Sequence, residues 1–173
     1  FMPRGHAHVA TLLAELIDGR PVSPPFNDSV FSTAEIRFCN APAIVDSYKN
    51  YYGALDTMEV ITSIGTYDYK KGGHIVFWDD KKIFELRSGG TVMFPAASKR
   101  YSFLPVAPNE KRFLFRQFCN GGALRWVEKG GRSDSDFEAV ASEEELEAWA
   151  EKLAARGYAS AKRFTKLEDI LVL

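Results

Sequence analysis

Two arginines, Arg112 and Arg116, stand in the alternating run Arg112-Phe113-Leu114-Phe115-Arg116-Gln117-Phe118. In a strand, residues two and four apart share a face, so both guanidiniums lie on the side that also carries Leu114 and Phe118. Two cations facing inward need anionic company. An anionic or carboxylate ligand would supply it, because a guanidinium fork grips a carboxylate through two parallel hydrogen bonds. Internal pairing with Glu35, Glu59 or Glu85 would supply it equally well, and the spacing leaves both readings open.

The other reactive side chains are sparse. Three histidines are present, two of them near the N-terminal end, so no Ser/His/Asp or Cys/His arrangement can be assembled. His6-x-His8 has the spacing of metal ligands but no carboxylate partner beside it. His74 follows two glycines at the start of a strand candidate and reads as framework. Gly72-Gly73 and Gly121-Gly122 lack the helix and the Lys and Ser/Thr of a phosphate loop, and read as turn or bulge glycines. Arg125-Trp126 and Lys99-Arg100-Tyr101 interleave base with aromatic, as nucleotide-stacking surfaces do. A strand end packing its tryptophan under outer helices explains the same residues. Cys39 and Cys119 form no CxxC pair and read as buried thiols.

At 173 residues the chain suits one domain with a full core. A net charge of −1 gives no basic footprint for a polyanion, and 13% aromatic content argues against a disordered tail. Apolar runs such as Ile75 to Trp78 fall far short of the roughly 20 residues a membrane span needs. No charged-then-apolar leader opens the sequence, so the expectation is an intracellular protein, cytoplasmic or nuclear, with no membrane partner.

The elements that would position these residues follow from periodicity. Val9, Leu12, Leu13, Leu16 and Ile17 recur at helical spacing and Gly19 follows at the stop, predicting a helix over about 7–18. Pro21, Pro24 and Pro25 then break the chain. From Ser29 to Phe38, Val30, Ala34, Ile36 and Phe38 share one face and Thr33, Glu35 and Arg37 the other, predicting a half-buried strand. Further strands are expected at 58–64, 74–78, 82–86, 91–94, 100–104, 111–119 and 124–127, separated by Gly, Asp, Asn and Pro turns. Ser142 with Glu145 forms a capping box, Leu146, Trp149 and Leu153 make an apolar stripe, and Gly157 is placed to stop that helix. Glu143, Glu144 and Glu145 sit at the positive end of its dipole, which accounts for the acidic run. Many short strands with regular turns predict a mainly β, α+β fold of sandwich or barrel type.

The blocks Pro25-Phe26-Asn27-Asp28-Ser29-Val30-Phe31, Gly72-Gly73-His74-Ile75-Val76-Phe77-Trp78-Asp79, Phe94-Pro95-Ala96-Ala97, Glu110-Lys111-Arg112-Phe113 and Gly121-Gly122-Ala123-Leu124-Arg125-Trp126-Val127 carry a resemblance. In that order they resemble the oxygenase-like proteins abundant in mushroom-forming fungi, distant relatives of the TET/JBP branch of the 2-oxoglutarate and Fe(II)-dependent dioxygenases. The resemblance implies a double-stranded β-helix, or jelly roll, in a single domain: helix and linker over 1–24, barrel over 25–128 and a helical cover over 134–173. In such oxygenases a His-x-Asp pair and a later histidine hold Fe(II), and an arginine or lysine clamps the far carboxylate of 2-oxoglutarate.

The resemblance puts Tyr48-Lys49-Asn50 where His-x-Asp would stand, Tyr101 at the later histidine and Arg112 at the clamp. A phenol must lose a proton near pH 10 to bind a metal, and an amide oxygen is a feeble donor. The implied reading is a degenerate oxygenase-like protein with no metal. Its pocket of Tyr48, Asn50, Tyr101, Arg112 and Arg116 would take an anionic small molecule or do metal-free acid–base chemistry. No cofactor is then expected. Decay of the pocket, with the tyrosines simply filling it, is the plainer version. Two alternatives stand beside these: an active dioxygenase that uses 2-oxoglutarate and holds Fe(II) through Tyr101 and acids such as Asp46 or Asp56, and a nucleic-acid-binding module.

Overall fold

The computed structural model describes residues 3–18, 24–27, 29–38, 49–166 and 168. Its elements are α1 (Pro3–Ile17), β1 (Thr33–Phe38), β2 (Glu59–Thr66), β3 (Ile75–Phe77), β4 (Lys82–Phe84), β5 (Thr91–Phe94), β6 (Tyr101–Phe103), β7 (Lys111–Phe118), α2 (Gly121–Glu128), α3 (Asp134–Val140) and α4 (Glu143–Ala161). The strands form two antiparallel sheets, one ordered β1-β7-β2-β5 and one ordered β4-β3-β6. This is an α+β arrangement, and the described strands do not close into a barrel.

The alternation in β7 is realised: Arg112, Leu114, Arg116 and Phe118 are buried, and the residues between them are more open. Ile61 and Leu114 meet Ile75, Phe77, Phe94, Tyr101 and Phe103 in one core, which binds the two sheets together. Its aromatic rings meet edge to face, with centroids 4.8 Å apart for Phe77 and Phe94 and 4.7 Å for Phe94 and Tyr101, the arrangement ring quadrupoles favour. A second core joins Val9, Leu12, Leu13 and Leu16 of α1 to Leu124 and Val127 of α2, with Ala54 and Cys119 between.

Four expectations are corrected. The stretch 124–127, expected as a strand, belongs to helix α2, and Gly121-Gly122 open that helix instead of marking a turn. Asn120 caps it, its side chain accepting from the amides of Gly122 and Ala123. Leu124 and Val127, three residues apart, then fall on the face buried against α1. The strand side of the expected barrel therefore ends at Phe118.

In β1, the apolar side is the open one: Ile36 is 59% and Phe38 72% exposed. Glu35 lies opposite Arg116 in the register, and the need of that buried cation for a carboxylate turns the polar side of β1 inward. The outer face of the sheet consequently carries Ile36, Phe38, Ile64, Phe113 and Phe115, with Phe38 edge-on to Phe113 at 5.2 Å. Lastly, α4 runs past Gly157 to Ala161. A mid-helix glycine costs only about 1 kcal/mol, and Arg156 and Arg163 on either side are tied to Glu128 and Asp56. The capping box of Ser142 and Glu145 forms as expected.

Gly65 has φ 142°, and a Cβ there would lie 2.1 Å from the Lys111 carbonyl oxygen, so β2 can reach β7 at this point only without a side chain. Asn120→Ala should lower the unfolding free energy by about 1 kcal/mol through loss of the cap. Gly65→Ala should lower it further. Urea titrations of both variants check this, and an unchanged midpoint for Asn120→Ala would count against the capped helix.

Candidate functional site

The polar centre of the fold is built from β2, β6, β7 and the loop before β2. Glu59 is in phase with Ile61 and Ser63 on the inner side of β2 and is 2% exposed. Arg116 reaches it from β7, with Nε donating to Glu59 Oε1 at 2.5 Å and Nη1 to Glu35 Oε2 at 3.0 Å. Asn50 Nδ2 donates to the second Glu59 oxygen at 2.7 Å, while its own Oδ1 accepts from the Tyr52 amide. The Tyr101 hydroxyl, on β6, lies 3.4 Å from Glu59 Oε1 and 3.3 Å from Arg116 Nη2.

Of the residues expected at a pocket, then, Asn50, Tyr101 and Arg116 come together, and what joins them is Glu59. Tyr48, Asp46 and Cys39 lie outside the described residues. For Arg116 the internal alternative holds: Glu59 and Glu35 supply its anions. Glu59 was named only as a possible partner, although its phase with Ile61 and Ser63 already marked a carboxylate on an inward face. The space beside Asn50, Glu59, Ala96 and Phe118 has no room for a water molecule, although Asn50 also borders a larger cavity toward the helices.

These donors do not suit Fe(II). The amide of Asn50 is occupied at both ends, and the guanidinium of Arg116 takes the place beside Glu59 that a cation would need. Among the described residues, no three His, Cys, Asp or Glu side chains converge.

Arg112 stands apart from that cluster. Four residues along β7 at roughly 3.3 Å each put its Cα about 13 Å from that of Arg116. It is 2% exposed, yet Nε and Nη1 have no hydrogen-bond partner among the described residues. The Phe103 ring lies under the guanidinium with 5.1 Å between Cζ and centroid, a cation–π contact that leaves the N–H edge free. Gly73, at φ 71°, makes the space: a Cβ there would sit 3.0 Å from Arg112 Nη1 and 2.9 Å from the Tyr67 ring. Gly73 thus serves a close approach, which the sequence showed only as a turn glycine.

The remaining candidates are placed as follows. His74 precedes β3, and its Nδ1 is buried without a partner. His8, on α1, lies 3.6 Å from Asp56, and no metal group forms around it among the described residues. Burial pushes the Cys119 thiol up to about 11, so it is no ready nucleophile. Arg100 pairs with Asp79 at 2.8 Å and Lys99 with Asp80 at 2.6 Å, which engages the basic residues beside Tyr101 at the surface. Hydrogen bonds from the Arg100 amide and side chain hold the Asp79 carboxyl below its ordinary value.

No protein-family model matches the chain, and no curated protein matches it. Among solved structures, NgTET1 in complex with 5mC DNA is similar in fold, with a TM-score of 0.52 at 13% identity over 70% of this chain. The chain spans about half of that protein, 49% of its length. The likeness is one of fold. No described helix is long and apolar enough to cross a membrane.

Glu59→Gln should cost about 3–5 kcal/mol, because it strips a buried guanidinium of its closest anion. Replacing the pair together by Glu59→Leu and Arg116→Met should recover most of that loss. Thermal and urea unfolding of the single and double variants measure both, and a loss below about 1 kcal/mol in Glu59→Gln would mean the pair is not buried as described.

Proposed function

We propose that this chain is an oxygenase-like fold that works without iron and binds a small carboxylate-bearing molecule at Arg112. The observation that carries the reading is the buried guanidinium with two free N–H groups. Removing a cation from water costs several kcal/mol, and a bound carboxylate would repay it through two charge-assisted hydrogen bonds. The resemblance of the Glu110-Lys111-Arg112-Phe113 block to the cosubstrate clamp of 2-oxoglutarate oxygenases points to the same residue. 2-Oxoglutarate and related dicarboxylates are accordingly the first ligands to test.

In this reading Asn50, Tyr101 and Arg116 hold Glu59 and stabilise the sheet that presents Arg112. Both oxygens of Glu59 are already taken up by Arg116 and Asn50, which argues against acid–base chemistry at that centre. The DNA in the NgTET1 structure raises a nucleic-acid reading for this chain. A net charge of −1 gives it little electrostatic support.

The test uses calorimetry with 2-oxoglutarate and succinate, with and without Fe(II), on the parent chain and on Arg112→Met. The parent should bind at least one dicarboxylate without the metal, and Arg112→Met should abolish that binding. The same variant should leave the ligand-free protein as stable or more stable, since an apolar side chain replaces an unpaired buried charge. Binding that survives Arg112→Met, or that appears only with Fe(II), would overturn the proposal.

A further inference from the structure

A cavity of about 270 Å³ lies between α1, α2, α4 and the loop over residues 50–57. Its charged lining is unbalanced: Arg125, Lys152, Arg156 and Arg163 face only two carboxylates, Asp56 and Glu128. Those two are already engaged. Asp56 takes Arg163, and Glu128 takes Arg156 together with Lys152, the last at 3.1 Å. Arg125, on α2, has no hydrogen bond or ion pair among the described residues, and its guanidinium borders the helix start, with Nη1 3.4 Å from the position a Cβ would take on Gly121. The first turn of α2 carries no acidic residue, so the positive end of its dipole adds to the field of the cations.

We propose that this cavity binds the phosphate group of a small phosphate monoester. Two uncompensated cations match a dianion, and Arg125 supplies the open guanidinium fork. The volume lies just below the roughly 300–1,000 Å³ of pockets that enclose drug-sized ligands, which suits a small metabolite. Tyr51, 84% exposed at the rim, offers a ring on which a base or sugar face can rest. The site is separate from Arg112 and does not depend on the carboxylate reading.

His8 lines the same cavity and reports on it. Its imidazole titrates below the ordinary histidine value, first because burial disfavours the charged form and then because Arg163 repels it; Asp56 and Glu128 pull the other way and Lys152 adds to the repulsion. A phosphate seated among these groups would favour the imidazolium and raise that value.

The experiment titrates inorganic phosphate, a nucleoside monophosphate and a single-stranded oligonucleotide into the parent chain, Arg125→Gln, Lys152→Gln and Arg112→Met, following the His8 ring protons by NMR across pH. Saturable binding of the monophosphate, weakened at least tenfold by Arg125→Gln and by Lys152→Gln, unchanged in Arg112→Met and accompanied by an upward shift of the His8 titration, is expected. Arg125 has no partner to lose, so its variant should fold as the parent does. Failure of phosphate and monophosphate to bind, binding indifferent to Arg125→Gln, or a preference for the oligonucleotide with no movement of His8 would each overturn the proposal. Loss of dicarboxylate binding in Arg112→Met bears on the other site alone.

Discussion

The Arg116 guanidinium, almost cut off from water, is met by two carboxylates, and that pairing constrains the elements around it. Glu59 and Glu35 come from β2 and β1, which flank β7 on its two sides, so three adjacent strands of the four-stranded sheet, one of them its edge, are tied through one side chain. Asn50 then completes the second oxygen of Glu59 from the preceding loop, and Tyr101 caps the pair from the other sheet. Removing Arg116 leaves Glu59 buried without a cation, and removing Glu59 leaves Arg116 with Glu35 alone; either loss is more costly than never having placed the pair there. Such a centre favours one register of the strands, because a slip of one residue would separate every partner at once.

The two arginines of β7 divide the chemistry between them. Arg116 is closed: its hydrogen bonds are made within the protein, and no space remains beside its partner. Arg112 is as buried but less satisfied, with Gly73 withholding a side chain from its edge and Phe103 covering its face. A single strand thus carries one buried cation that organises the fold and another whose Nε and Nη1 have no hydrogen-bond partner among the described residues. On the helical side, α4 and the residues just after it are fastened to α2 and to the loop before β2 through Glu128 and Asp56.

Much of this was legible in the residues alone where local chemistry decides. The capping box at Ser142 and Glu145 fixed the start of α4, and strict alternation placed Arg112 and Arg116 on the inner side of β7. The identity of the partners was not legible, since Arg116 meets Glu59 across 57 residues of sequence and Glu35 across 81. The same long-range demand reversed β1, whose apolar side looked like a core face until Glu35 was needed inside. Helix α2 was misread for a different reason. Arg125-Trp126-Val127 has strand-forming side chains, and only the Asn120 cap and the packing of Leu124 and Val127 on α1 reveal the longer period. The likeness of fold to NgTET1 agrees in part with the resemblance drawn from the sequence, but the lack of hydrogen-bond partners at Arg112 Nε and Nη1 among the described residues is visible only in the structure.

The pleat of β7 has an evolutionary corollary. Its inner row bears Arg112, Leu114, Arg116 and Phe118, and its outer row bears Phe113, Phe115 and Gln117. Point replacements on the outer row touch neither cation and can drift freely among strand formers. A gain or loss of one residue within the strand would instead exchange the rows, sending a guanidinium into the sunlight and a phenyl ring into the salt bridge. Descendants of this chain should therefore vary in side chain along 112–118 while keeping its length constant.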